Sequence, residues 1–398
     1  METLTIGERI RHRRLLRGWS VRHAASRAGV SHATWSRIER GLQAADNRFV
    51  LADIATALEC SPTELAGMVV PVGDRTAMAA HAGVHAIHQA LIETDLGEPA
   101  DRPAPVLPDL ARTVEVVETL RRACDYAAAA RLLPDLMRDL HAVAEDSAQR
   151  AGALRMLCHA TFMASGVVRN LGHPAEAWLT AERCRDAAEA IEDPVMTGYA
   201  AYARANAALS CDAFHRALTL ASRAVDEMRP HLGAPGGIEV FGTLHLICAY
   251  ACRGLKRVSD GRGWAKAAGE VAARTGESPA LGLTFGPTNV DIWRIGMEVD
   301  GGEPEIAVDI AANTNPAVLP FGCRQVFYYA DAGRALARLK GRDREAIRYL
   351  ITAERLAPQH VRTSAIDQET VRSLLERSRR EAGGAELRGL CERMQISA

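Results

Sequence analysis

Apolar residues recur mainly three and four positions apart along this chain, the period of a helix that buries one face. No segment alternates apolar and polar residues as a half-buried strand does, and β-branched and aromatic residues are scarce. The expected fold class is therefore all-α. Near the amino end the pattern is punctuated often. "TIGERIRHRRLLRG" predicts a first helix with Ile6, Ile10 and Leu15 inward, stopped by Gly18. Ser20 caps a second, "VRHAASRA", which Gly29 ends in a left-handed turn. Ser31 caps a third, "HATWSRIER", closed by Gly41. A fourth runs from about Arg48 through "FVLADIATAL", and Ser61 with Pro62 opens a fifth.

Beyond residue 67 the breaks become rarer. Residues 68–108 read as a junction helix ending in "GEPADRPAPVLP", where four prolines forbid a continuous helix and predict a semi-rigid linker. Residues 109–357 then carry related segments: "DYAAAARLLPDL" from Asp125, "HPAEAWLTAERC" from His173, "DAFHRALTLASRA" from Asp212, "GRGWAKAAGEVA" from Gly261, "GEPEIAVDIAANT" from Gly302 and "GRDREAIRYLITAERL" from Gly341. Each opens on a turn or capping residue and places an Ala, with another small or apolar residue about four positions on. Small residues at fixed positions let two antiparallel helices approach closely, and stacking such pairs builds an α-solenoid. The set resembles tetratricopeptide-type repeats, with "RDREAIRYLITAERLAP" nearest the pattern, while the Trp-Leu-Gly-Tyr consensus is largely missing. Residues 358–398 read as capping helices.

Two short helices joined by a Gly turn and followed by two more are the arrangement of a helix-turn-helix. The ordered set Ala24-Ala25, Gly29-Val30-Ser31, Arg37-Ile38-Glu39-Arg40-Gly41 and "LADIATAL…SPTEL" resembles the phage-repressor/XRE-type helix-turn-helix family over residues 4–67. The resemblance implies a five-helix lambda-repressor-like domain that binds double-stranded DNA, its third helix in the major groove. Carried over, the base-reading positions are His32, Ala33, Ser36 and Arg37. Their chemistry agrees: Arg37 can donate twice to a guanine edge, His32 and Ser36 can donate or accept, and Ala33 can meet a thymine methyl. Trp35 and Ile38 fall on the opposite face. The resemblance also implies phosphate contacts from Arg14, Arg22, Arg40, Asn47 and Arg48, which set register without reading sequence. Val21 stands where the family often has a Gln, and Glu39 resembles a structural position that orients its neighbours.

Composition adjusts this picture little. Formal net charge is −1, but residues 1–67 hold ten Arg against seven Asp and Glu, a modest excess that suits an anionic partner. Nine Cys without paired short spacings fit reduced thiols in a cytoplasmic protein. "METLTIGERIRHRR" lacks the apolar core of a secretory signal, and no run approaches the ~18 apolar residues of a membrane span. His81, His85 and His88 share a helix face, as do His245, Cys248 and Cys252; the first set lies in the junction and the second in an apolar repeat helix, so no metal or cofactor is expected. "GAPGG" at 233–237 lacks the Lys-Ser/Thr of a phosphate loop, and no catalytic motif occurs.

One repeat stands apart. "LTFGPTNVDIWRIGMEVD" sets Phe285 and Asn289 at the mouth of a helix, and Asn289 resembles the Asn that peptide-sensing regulators of Gram-positive bacteria present to a ligand's backbone amides. Asn206 and Trp293 join it as ligand candidates, against the plainer reading that Asn289 caps or packs. The resemblance implies a transcription regulator, a homodimer on a pseudo-palindromic operator, with repeats that sense a peptide or small-molecule signal. Repeats acting as a protein-interaction scaffold with no small ligand are the alternative.

Overall fold

The computed structural model describes residues 4–67, 75–98, 101–378 and 384–396. The described residues are helical throughout, with one isolated bridge between Ser278 and Phe285. Two compact units divide the chain. The first joins residues 1–72 with 295–313 and 326–398; the second comprises 73–294 and 314–325. This differs from the linear division read from the sequence, because packing partners far apart in the chain close each core.

In the first unit the amino-terminal helices are α1 (Ile6–Leu16), α2 (Val21–Arg27), α3 (His32–Glu39), α4 (Arg48–Ala57) and α5 (Pro62–Ala66). Their start signals are local. Thr5 and Ser61 form capping boxes with Glu8 and Glu64, and Ser20, Ser31 and Asn47 accept hydrogen bonds from His23, Thr34 and Val50 backbone amides. Ile6, Ile10, Ala24, Ala25, Trp35, Ile38, Ile54 and Leu58 form a shared core, with Ala365 and Ile366 packed against it. Leu15, expected inside, is 55% exposed, and Arg14 is buried instead. Positions 6, 10 and 14 keep one stripe of the helix, whereas 15 falls off it. Gly7 has a packing reason of its own: a Cβ there would stand 2.2 Å from the Ile38 carbonyl oxygen, so α1 and α3 meet backbone to backbone. The unit continues with α15 (Pro287–Asp300) from Ile295, α16 (Pro304–Ala312), α17 (Gly322–Ala337) from Val326, α18 (Asp343–Leu356), α19 (Pro358–Val361), α20 (Ala365–Ser378) and α21 (Ala385–Arg393).

The second unit is an array of helical hairpins: α6 (Arg75–Glu93), α7 (Leu107–Arg122), α8 (Tyr126–Val143), α9 (Arg150–Asn170), α10 (Pro174–Ile191), α11 (Pro194–Ser210), α12 (Phe214–Met228), α13 (Gly237–Gly254) and α14 (Val258–Thr275). Consecutive helices from α7 onward pack pairwise, and α7, α9, α11 and α13 also contact each other in series. The repeated segments fall on the second helix of each pair. Ala177 and Ala181, like Ala217 and Ala221, are fully buried where the helices come closest. The junction helix α6 is part of this array, lying against α8 with no room for a Cβ at Gly83 beside Ala130. The segment after it is also tied down, since Arg102 donates to Asp139 on α8 at 2.7 Å. Helix α9 is long and apolar enough to cross a membrane, but 61% of its apolar window is buried within the unit, which accounts for its composition.

Candidate nucleic-acid interface

Two turns with the same hydrogen-bond pattern position α3. After α2, Gly29 takes φ +63°, its amide donating to Ser26 and that of Val30 to Ala25. After α3, Gly41 takes φ +68°, its amide donating to Ile38 and that of Leu42 to Arg37. Both satisfy carbonyls a helix end would leave open, and the left-handed backbone favours glycine.

Inside, Glu39 ties the helices together. Its carboxylate accepts from Arg14 Nε at 2.6 Å and Nη2 at 2.8 Å, and from Trp35 Nε1 at 2.6 Å; Arg14 Nη1 donates to the Trp19 carbonyl at 2.7 Å. Hydrogen bonding to Glu39 raises the Arg14 pKa above its ordinary value. Every donor nitrogen of Arg14 is thus engaged in the core. This corrects the phosphate contact that the resemblance implied for Arg14: its guanidinium is a strut between α1 and α3.

With Trp35, Ile38 and Glu39 turned inward, α3 presents His32, Ala33 and Arg37 to solvent and Ser36 half-buried on the outer face. Residues 20–41 include four arginines, Arg22, Arg27, Arg37 and Arg40, and a single acid, the buried Glu39. The α2–α3 surface therefore displays cations with no exposed carboxylate among them. Arg27 stacks over Trp19 at 5.3 Å, and Arg40 Nε donates to the Ser36 carbonyl at 3.1 Å. Arg22, Arg37 and Arg40 are exposed and have no ion-pair partner among the described residues, in contrast to Arg13 and Arg17, which pair with Glu64 and Glu59. Val21 is half-buried against the core, which explains an apolar residue at that position.

Asn47 and Arg48 are placed differently from expectation. Asn47 spends its side-chain oxygen on capping α4, at 3.0 Å from the Val50 amide. Arg48 donates from its amide to Asp300 Oδ1 at 3.3 Å and from Nη1 to Asp300 Oδ2 at 2.8 Å, with Asp331 at 3.4 Å. Behind it lies a buried network. Arg334 donates to Asp331 at 2.6 Å, to the Asp46 carbonyl at 2.6 Å and to Asp300. Arg338 and Thr370 hold the Asp46 carboxylate at 2.9 and 3.0 Å, and Glu369 accepts from the Ala45 amide. Burial opposes ionisation of Asp300, yet Arg334 and Arg48 outweigh it and hold the carboxyl well below the usual range. In this state the Arg48 guanidinium is held by protein carboxylates. The sequence carried no sign of this, because Asp300 and Asp331 lie some 250 residues or more from Arg48.

The ligand candidates of the second unit divide. Phe285 is fully buried and fills the space left by Gly242. Asn289 is 1% exposed, its side-chain oxygen accepting from Arg324 Nε at 2.8 Å. Both hold the wall of the array, which corrects their expected place at an open mouth. Trp293 is half-buried, with Arg324 over its ring and Tyr250 edge-on; Asn206, also half-buried, donates to the Tyr202 hydroxyl at 3.2 Å. Among the described residues no group of three His, Cys, Asp or Glu is arranged to hold a metal; His81 instead meets His173, 2.9 Å between ring nitrogens.

No relative was found among curated proteins. A solved structure of PlcR from Bacillus thuringiensis, in complex with the peptide PapR7 and DNA, is similar over 69% of this chain and 96% of that chain, with 14% identity and a TM-score of 0.29. Residues 5–67 match the family described as "Helix-turn-helix domain", and this part of the chain is a helix-turn-helix domain.

Proposed function

We propose that the protein is a sequence-specific DNA-binding transcriptional regulator whose α3 reads the major groove through His32, Ala33, Ser36 and Arg37. The observation that carries this reading is the α2–α3 surface, cationic and free of exposed carboxylate, set on a helix whose other face is locked by Trp35 and Glu39. Arg22 and Arg40 are the phosphate contacts it supports, and Asn47 contributes through the helix end it caps. One such domain spans about one half-site, so a homodimer on a pseudo-palindromic operator completes the proposal.

The second unit receives the signal in this reading, a peptide or small molecule, with Trp293 and Asn206 facing it and Asn289 held behind by Arg324. The alternative, a protein-interaction scaffold, is separated from it by mass spectrometry of the denatured, purified protein: a stoichiometric small molecule or peptide favours sensing, a co-purifying protein favours a scaffold.

The DNA reading is tested by selecting bound fragments from the source genome and then comparing two variants. Arg37→Ala should relax preference at one operator position at about 1–3 kcal/mol, and Arg22→Ala should weaken all sequences alike and flatten the salt dependence by about one phosphate. Equal, sequence-independent losses from both would remove α3 as the reader.

A further inference from the structure

The amino-terminal end of α4 already holds an anion. Asn47 caps it, the Arg48 amide points outward from its first turn, and the Arg48 side chain folds over the same point; one carboxylate, Asp300, takes both bonds. An amide at a helix start beside a guanidinium is a donor set that suits a phosphate oxygen. The carboxylate that fills it is fully buried and fixed from behind by Arg334, itself fully buried, whereas Arg48 is 33% exposed. Arg48 is the member of the network at its edge and the one able to leave.

The segment leading into α4 also has space to move. A cavity of about 410 Å³ opens beside it within the same unit, lined by Leu42, Asn47 and Val50 on one side and Pro304, Arg338 and Ser373 on the other. Leu42, 58% exposed, borders that volume, while Ala45 belongs to the core around Trp35.

We propose that Asp300, supported by Asp331, is an internal competitor for a DNA-backbone phosphate: it occupies the anion seat at the start of α4 and holds the domain in a latched state of lower DNA affinity. This rests on the DNA-binding reading above and adds to it a means of control. Whatever withdraws α15 and α17 from the Ala45–Arg48 segment frees a phosphate contact, and a phosphate at that seat works against the α15–α17 arrangement by the same amount.

The test measures binding of the full-length protein to a non-specific DNA duplex by fluorescence anisotropy across a salt series. Asp300→Asn should tighten binding roughly tenfold and steepen the plot of log affinity against log salt by about 0.9, one added phosphate contact. In an Arg48→Ala background the same change should do nothing. Asp331→Asn, a milder change because Asp300 stays with Arg334, serves as the second variant where circular dichroism shows Asp300→Asn to be misfolded; it should shift both quantities in the same direction. Unchanged affinity and slope in the folded variants would overturn the latch, as would an equal gain in the Arg48→Ala background, which would mark a general charge effect. Wild-type protein that binds its selected fragments while these variants behave like it leaves the regulator reading standing and removes only the latch. Protein that binds no DNA in any form removes both.

Discussion

Glu39→Gln isolates the strut at the centre of the helix-turn-helix. The substitution keeps the length of the side chain and an acceptor for Trp35, but it sets an NH₂ group against Arg14 donors in a site where both side chains are under 10% exposed. Arg14 then lies buried beside a neutral partner, its Nε still bonded to the retained oxygen and its Nη1 to the Trp19 carbonyl, while Nη2 faces another donor. Breaking one side of a buried pair costs about 3–5 kcal/mol. Because the chain has two units and need not unfold in one step, the readout must be local. Hydrogen exchange of peptides covering α1 and α3 should accelerate by about two orders of magnitude or more, and exchange in α9 and α13 should stay unchanged. Arg14→Leu with Glu39→Leu should lose less than Glu39→Gln alone, because the double change leaves no uncompensated buried charge; it orphans Trp35 Nε1, at about 1–3 kcal/mol, and removes the donor to the part-buried Trp19 carbonyl. Protection of α1 and α3 that survives Glu39→Gln would refute the claim that this carboxylate holds α3 in place.

Two further predictions concern packing and pH. Gly7→Ala should destabilise α1 by about 1–3 kcal/mol despite the better helix propensity of Ala, since the added methyl meets the Ile38 carbonyl; a raised melting temperature would contradict the close approach. In the second unit burial lowers the pKa values of His81, His141, His159, His173 and His245, His141 reaching about 4. An unfolded His titrates near 6.5 and takes up its proton first as pH falls, so stability is full above about 6.5 and declines toward 4. His141 alone accounts for about 2 kcal/mol between pH 6.5 and 5, and melting of the unit should drop accordingly, less steeply in His141→Gln.

Much of the helix-turn-helix was legible because its signals are short-range. Ser20, Ser31 and Ser61 act on amides three residues away, and Gly29 and Gly41 on the turn they occupy. The capping box at Thr5-Ile6-Gly7-Glu8 is equally local, its two side chains three positions apart. Side-chain direction was harder. Arg14 and Leu15 are neighbours with opposite fates, and the rule that charged residues face water chose wrongly because Glu39, the partner that overrides it, sits 25 positions on. The repeats were visible as small residues at helix spacing, but their irregular breaks hid that α6 belongs among them. The surroundings of Arg48 and Asn289 were not legible for one shared reason: both have partners, Asp300 and Arg324, that only the folded chain brings near.

The bond between Ala45 and Glu369 spans 324 positions. At ~5–20 residues per second on the ribosome, the helix-turn-helix emerges about 15–60 s before the helix that carries Glu369. A nascent chain therefore passes through an interval in which α1–α5 are synthesised while Asp46 and Arg48 still lack their companions.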